Sequence, residues 1–343
     1  PLGEETPDHS SLTRIRDRLP LVIHEQVFQR VLSILDQHGL LKGTTTGVDS
    51  TMLEANAAMK TIIRKDTGED WKAYLKRLMQ EEGLITKDEH PTDEELRKFD
   101  KSRGKQGKKK VSNDEWASPS DPDSRIVKMK DGRTHLGYKA QHVVDLDSEA
   151  ILSARVQHGT DGDAQTLLRS VVDAQRHLIL AESDAEICEI AGDKGYHANE
   201  AITWCTRFGL RTYIPEPDSP HDRRWTDKPD ETRSAVLNNR QRMSRKKGKQ
   251  LQRERSEKVE RSFAHVCDTG GARRSWLRGL EKINKRYLIV TAARNLGLVL
   301  LKAFGLSKPR NLSAAAAAAL ALWAACQTIC TAYRRAQRVW KTF

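Results

Sequence analysis

The chain has 343 residues, enough to bury at least one large core, and ordinary domain sizes divide it into two or three structural units. Lys and Arg number 59 against 47 Asp and Glu, a formal net charge of +12 that favours a polyanionic partner, nucleic acid before membrane. Five cysteines (Cys188, Cys205, Cys267, Cys326 and Cys330) form no CxxC pair and are odd in number. This argues against a disulfide framework or zinc site and for core thiols in a reducing cytoplasm. The opening PLGEETPDHSS has neither a basic n-region nor an apolar h-region, so no signal peptide is expected. It starts without Met, so an upstream segment is expected to be missing.

In chain order, residues 7–19 read as a short basic helix capped near Ser10. Ile23, Val27, Val31, Ile34 and Leu35 then recur at helical spacing over 23–38, and Gly39 closes that helix. The pair is either the end of a helical DNA-binding or dimerising unit, or helices packed onto a core. TTTGVDSTM, 44–52, is β-branched and bounded by turn residues, which predicts a strand containing Asp49. A carboxylate in a core strand is costly unless it is paired or binds a cation, so Asp49 is a candidate ligand; on an edge strand it would simply face water. Residues 56–130 change character. Trp71, Tyr74, Leu75 and Leu78 predict one amphipathic helix, followed by a Lys/Arg tract from Lys98 to Lys110 with almost no apolar anchor. The segment reads as an insertion whose tract is flexible. Lys108, Lys109 and Lys110 either grip DNA backbone or form a solvated loop.

Asp131-Gly132 signals a turn into a strand over 134–146, and Asp147-Ser148 turns it back into a strand over 150–156. Asp163 is expected to cap a helix bearing Leu167, Leu168, Val171, Val172 and Ala174. In EICEIAGDKGYHANE, 186–200, an apolar run ends at Gly192 and delivers Asp193 just past a buried strand, at the carboxyl end where α/β sheets hold ligands. Asp193 is thus a second candidate, unless it only helps cap the next helix. Asn199 is the expected N-cap of a helix with Ile202, Trp204, Cys205 and Phe208 inward, ending at Gly209. A strand over 210–214 is halted by Pro215 and Pro217. The order β-β-β-α-β-α-β predicts an α/β fold with a ribonuclease-H-like mixed sheet: a three-strand antiparallel meander extended by parallel strands, flanked by helices. Residues 215–250 read as a basic loop with one helix at most. RERSEKVERSFAHV begins a helix with Val259, Phe263 and Val266 in an apolar stripe and Glu260 beside it. Residues 278–304 form a long amphipathic helix. The alanine run at 314–319 predicts a weak terminal helix, too short for the roughly twenty apolar residues of a membrane span.

Asp49, Asp193 and Glu260 would together suit two Mg²⁺ ions. Hard cations want carboxylate oxygen, and two held about 4 Å apart activate a water or 3′-hydroxyl and stabilise the leaving oxygen of a phosphodiester. GVDSTMLEANA, DGRTHLGYKAQHVVDLD, AGDKGYHANE and VERSFAHV…RRSWLRGLEKINKRYLIVTAARNL resemble bacterial insertion-sequence transposases of the DDE type, in the branch with a large charged insertion after the first catalytic strand. The resemblance spans about residues 6–306. It implies a ribonuclease-H-like catalytic domain at 44–306 with insertions at 56–130 and 215–250, preceded by the end of a helical N-terminal region (1–43) and followed by an Ala-rich basic tail (307–343). It implies Asp49, Asp193 and Glu260 as catalytic and metal-binding acids, with Glu257 as a rival third acid one helical turn away. It also implies Mg²⁺, with Mn²⁺ able to substitute, and cleavage of element ends followed by strand transfer. The partner is double-stranded DNA, namely terminal repeats and target, bound by a homodimer or larger assembly at the bacterial nucleoid.

Relatives place Tyr, Arg and Lys seven before, four before and seven after the Glu. Here Arg253, Ser256 and Cys267 stand there, so phosphate contact is expected to fall to Lys194, Arg253, Arg255, Lys258 and Arg261. Tyr196 is expected to pack, the alternative being to stack on a base. A nuclease of the same fold without strand transfer, and an inactive DNA-binding derivative, are the competing readings.

Overall fold

The computed structural model describes residues 9–105, 113–129, 131–219, 225–305, 321–323 and 326. Two helices come first, α1 (His9–Arg18) and α2 (Leu21–Gln37). α2 starts behind Pro20 and stops where Gly39 adopts φ +64°, a left-handed turn that favours glycine. Its Phe28, Leu32 and Leu35 are fully buried.

The main sheet is built from β1 (Thr45–Glu54), β4 (Arg125–Lys128), β5 (Thr134–Asp145), β6 (Ile151–His158), β7 (Glu189–Ala191) and β8 (Arg211–Tyr213). Its order is β4-β5-β1-β7-β8, with β6 also paired to β5. β1 runs antiparallel to β5, with Asp49 opposite His142, and β5 runs antiparallel to β6. β7 lies parallel to β1 and β8 parallel to β7. α5 (Asp163–Leu180) and α6 (Asn199–Arg207) make the crossovers, giving the ribonuclease-H-like arrangement expected from the strand order.

The segment after β1 is folded. A small ribbon of β2 (Ile63–Arg64) and β3 (Trp116–Ala117) joins α3 (Trp71–Glu81) and α4 (Asp93–Lys105). Tyr74, Leu75, Met79, Leu96, Phe99 and Trp116 enter the same apolar cluster as Leu53 and Leu136 of the sheet. The expected flexible tract is therefore helical up to Lys105, because Leu96 and Phe99 anchor α4; Lys108, Lys109 and Lys110 lie outside the described residues. The expected loop at 215–250 is mostly helix as well: α7 (Asp230–Ser244) buries Ala235 and Val236, and α8 (Lys246–Phe263) begins two residues later. α9 (Leu280–Phe304) closes the fold and packs on α2 and β6.

Smaller expectations change too. Asn199 is the first residue of α6, with Ala198 at the cap position, and Gly162 rather than Asp163 precedes α5. Trp204 and Phe208 face outward, stacked on each other, while Ile202 and Cys205 are buried. Among the described thiols, Cys205 and Cys267 are buried, Cys188 is half-buried and Cys326 exposed. The alanine run at 314–319 lies outside the described residues. No helix among the described residues is long and apolar enough to cross a membrane.

Candidate active site

Parallel pairing of β1 with β7 matches Gly47 to Ala191, and the same offset carries Asp49, in the middle of β1, to the level of Asp193, two residues past the carboxyl end of β7. Asp49 accepts the Ser50 N–H at 2.8 Å on Oδ1 and the Arg255 guanidinium at 2.7 Å on Oδ2. Burial pushes the Asp49 carboxyl above its usual range; Arg255 and the Ser50 N–H oppose that, and the nearby charge of Asp193 adds to it. Asp193 accepts the Gly195 N–H at 2.8 Å, which turns the chain into a one-turn helix over Lys194–Tyr196.

Across this edge lies α8. It approaches β1 closely because Gly47 has no side chain: a Cβ there would sit 2.8 Å from Val259 Cγ2 and from Leu146 Cδ2, and 3.1 Å from Arg255 Cγ. The approach leaves a cleft of about 220 Å³ whose wall includes Asp49, Ser256, Glu260, Phe263, Asp268 and Arg273. Just past Glu260 the helix widens into a π-helical stretch, Ala264–Thr269, which carries Asp268 to the rim. Glu257, the rival acid, is largely exposed and ion-paired to Arg261, whereas Glu260 lines the cleft with Asp49.

Side chains without a role in the sequence reading hold these parts in place. His142, opposite Asp49 and stacked on Phe263, lies between Ser262 Oγ at its Nδ1 and Tyr287 Oη at its Nε2, both at 2.8 Å. Burial lowers the His142 pKa to about 3, so the ring is neutral. Ser262 donates to the Val259 carbonyl, so the chain of donors runs Tyr287, His142, Ser262, Val259 and ends at the helical turn bearing Glu260. On the opposite face of β1, Asp163 accepts from Ser50 Oγ at 2.9 Å and from the buried Lys139 at 3.2 Å. It is a strut rather than the helix cap expected from the sequence. Tyr196 is fully buried and takes a hydrogen bond from Gln141, so it packs and cannot meet a base.

The expected phosphate contacts divide. Lys194 is largely exposed, 3.7 Å from Asp218, and Arg253 is exposed. Arg255 is mostly buried against Asp49. Lys258 donates to the Leu146 carbonyl and pairs with Glu254 at 3.4 Å; Arg261 bridges Glu149 at 2.7 Å and Glu257. Both thereby fasten α8 to its surroundings.

Among the described residues no three His, Cys, Asp or Glu side chains are grouped so as to hold a metal ion. The three acids are therefore not a ready-made two-ion cradle here. Arg255, inserted from α8, supplies the positive charge at Asp49. The donors nonetheless suit a hard divalent cation: Asp49 is a carboxylate whose burial is incompletely offset, and Asp193 raises its pKa further.

A family model described as a transposase DDE domain matches residues 85–296, more than half of the chain. The match includes Asp193 and Glu260 and begins after the strand that carries Asp49. No curated protein and no solved structure matches the chain. With the sheet order and the acid-lined cleft, that match establishes that the chain belongs to the transposase DDE domain family and is an insertion-sequence transposase.

Proposed function

We propose that this transposase cuts a phosphodiester at the ends of its element and joins the freed 3′-hydroxyl to target DNA, using Asp49, Asp193 and Glu260. The observation that carries the reading is the convergence of β1, β7 and α8: Asp49 within β1 and Asp193 just past the end of the neighbouring β7, close enough for its charge to act on Asp49, and Glu260 in the wall of the same cleft as Asp49. These three acids would hold Mg²⁺, or Mn²⁺ in its place, which supplies Lewis acidity at the phosphate and lowers the pKa of the attacking hydroxyl.

The chain's own groups orient the substrate. Arg255, drawn away from Asp49, turns its charge toward the scissile phosphate, and Lys194 and Arg253 contact flanking phosphates. Lys258 and Arg261 keep α8 in place through their present partners, so Glu260 keeps its position as the substrate changes. A dimer or larger assembly acts on the DNA, while α2 itself is packed into the core against α9 and α5.

The test is a labelled duplex bearing the element's end, incubated with Mg²⁺ and target DNA. Cut and joined products are expected from the wild type. Asp193→Asn should reduce both by at least about a hundredfold, since even outer-sphere changes at metal sites cost 10–100-fold. Cutting without joining would make the protein a nuclease, and binding with neither would make it a DNA-binding derivative. Full activity in a folded Asp193→Asn variant would remove the acids from the mechanism.

A further inference from the structure

Beyond the π-helical stretch, residues 273–278 run beside β1 almost as an added strand. Glu54 N–H donates to the Arg273 carbonyl at 2.9 Å and Ser275 N–H to the Glu54 carbonyl at 3.2 Å, a parallel bridge between Glu54 and Arg274. Arg273 reaches Thr51 Oγ1 at 3.0 Å; farther along, Asn56 donates to the Trp276 carbonyl at 2.9 Å and Arg278 to the Asn56 carbonyl at 3.2 Å. This ribbon starts in the acid cleft, where Arg273 is part of the wall. It ends at a separate groove of about 680 Å³ lined by Asn56, Met59, His135, Arg274 and Arg278. From Thr51 to Asn56 an extended chain covers about 17 Å, the axial rise of about five base pairs.

The ribbon is basic and ends on an aromatic ring. Asp268 offsets Arg273 at 3.0 Å and Glu54 lies 3.7 Å from Arg274, whereas Arg278 and Arg286 hydrogen-bond to backbone carbonyls. Trp276 is 63% exposed, and the Arg286 guanidinium covers one ring face with its centre 3.9 Å from the ring centroid. Arg286 is in turn held by the Gly271 carbonyl at 2.7 Å. The indole is thus fixed from one side and open on the other, the form of a stacking platform for a base. Arg16 of α1 lies near enough to repel Arg286 and adds charge to the same surface.

We infer that the ribbon Arg273–Arg278 is the track along which one DNA strand leaves the acid cleft, with Arg274 and Arg278 on its phosphates and Trp276 under an unpaired base. The inference rests on the proposed cutting of DNA at Asp49 and Asp193, but its test needs no cutting. Binding of the full chain to an end-bearing duplex with a short single-stranded overhang is measured without divalent metal over a range of salt concentrations. Arg274→Gln/Arg278→Gln should lower the slope of log K against log salt by roughly 1.8, about 0.9 for each phosphate no longer neutralised, and Arg274→Gln alone by about 0.9. Trp276→Ala should weaken binding about tenfold with the slope unchanged, and Trp276→Phe should restore most of it. Arg169→Gln, at an exposed position on α5, should change nothing. Folded ribbon variants with wild-type slope and affinity would overturn the track, as would an equal loss in Arg169→Gln. A wild type that cuts DNA alongside unaffected ribbon variants would sink the track and leave the catalytic reading standing. A wild type that neither binds nor cuts would sink both.

Discussion

His142 faces Asp49 across the β1–β5 pair and must stay neutral, because burial holds its pKa near 3 against an ordinary 6.5. The unfolded chain takes up a proton below about pH 6.5 that the folded chain refuses. The stability it contributes is therefore present above that pH and falls steadily toward pH 3. His142→Gln should remove this part of the slope in urea midpoints measured across that range. It should also lower stability at pH 7 by about 1–3 kcal/mol, because the buried Tyr287 hydroxyl loses its partner at Nε2. Gly47 makes a different demand, that of space. Gly47→Ala places a methyl 2.8 Å from Val259 and Leu146 and should cost about 1–3 kcal/mol. Because the displaced element is α8, cutting should fall more than the change in Tm alone accounts for. A variant with lowered Tm and unchanged cutting per folded molecule would show that the approach of α8 serves stability only.

Helix and strand meet through side chains that complete the backbone. Asn284 and Asn295 of α9 each grip both the N–H and the C=O of one β6 residue, Val156 and Ile151, at 2.8–2.9 Å. Asn239 of α7 does the same to Ile214 after β8, with bonds of 3.1 and 2.8 Å. Two margins of the sheet are thereby closed by helices instead of left to pair with another chain. Asn295→Leu should cost about 2–5 kcal/mol, from two buried backbone groups left unpaired, and Tm would read it directly. Between the parallel strands, Glu189 ties β1, β8 and α8 together through Thr45, Tyr213 and Lys247. Burial pushes its carboxyl up, but the Lys247, Thr45 and Tyr213 contacts together outweigh that and hold it below its ordinary 4.5. Its contribution is present above pH 4.5 and is lost as pH falls through the lowered value. Glu189→Gln should flatten acid unfolding below pH 4.5, and an unchanged acid limb would show that the clamp carries no net charge energy.

Viewed whole, the molecule joins its large insertion to the catalytic sheet through one apolar cluster, in which Tyr74, Leu75, Phe99 and Trp116 meet Leu53 and Leu136. Excising 65–115 would bare that face of the sheet, and exposed apolar patches of that size drive association. The shortened chain should aggregate or bind a hydrophobic dye instead of remaining a monodisperse catalytic core, and size-exclusion chromatography would decide. The basic surplus is also distributed with purpose. Lys258 and Arg261 brace α8, while Arg274 and Arg278 lie along an open ribbon. Net charge alone could not separate these tasks, because it does not say which arginine already faces a carboxylate or a carbonyl.

The strands carrying Asp49 and preceding Asp193, the helix carrying Glu260 and the turns at Gly39 and Gly209 were legible in residue order, because period-two and period-3.6 patterns and turn chemistry act over a few neighbours. The short edge strand β4 was missed, and the family was legible only as a resemblance of whole motifs. Residues 215–250 were not, since α7 offers only a narrow apolar face, Ala235 and Val236, and becomes a helix by burying it against α6 and α8. Asp163 as a strut, His142 between Ser262 and Tyr287, and Arg255 on Asp49 each join positions more than a hundred residues apart. No local rule reaches that far: which charge meets which partner is set by the packing of α5, α8 and α9 on the sheet, and only the folded chain decides it.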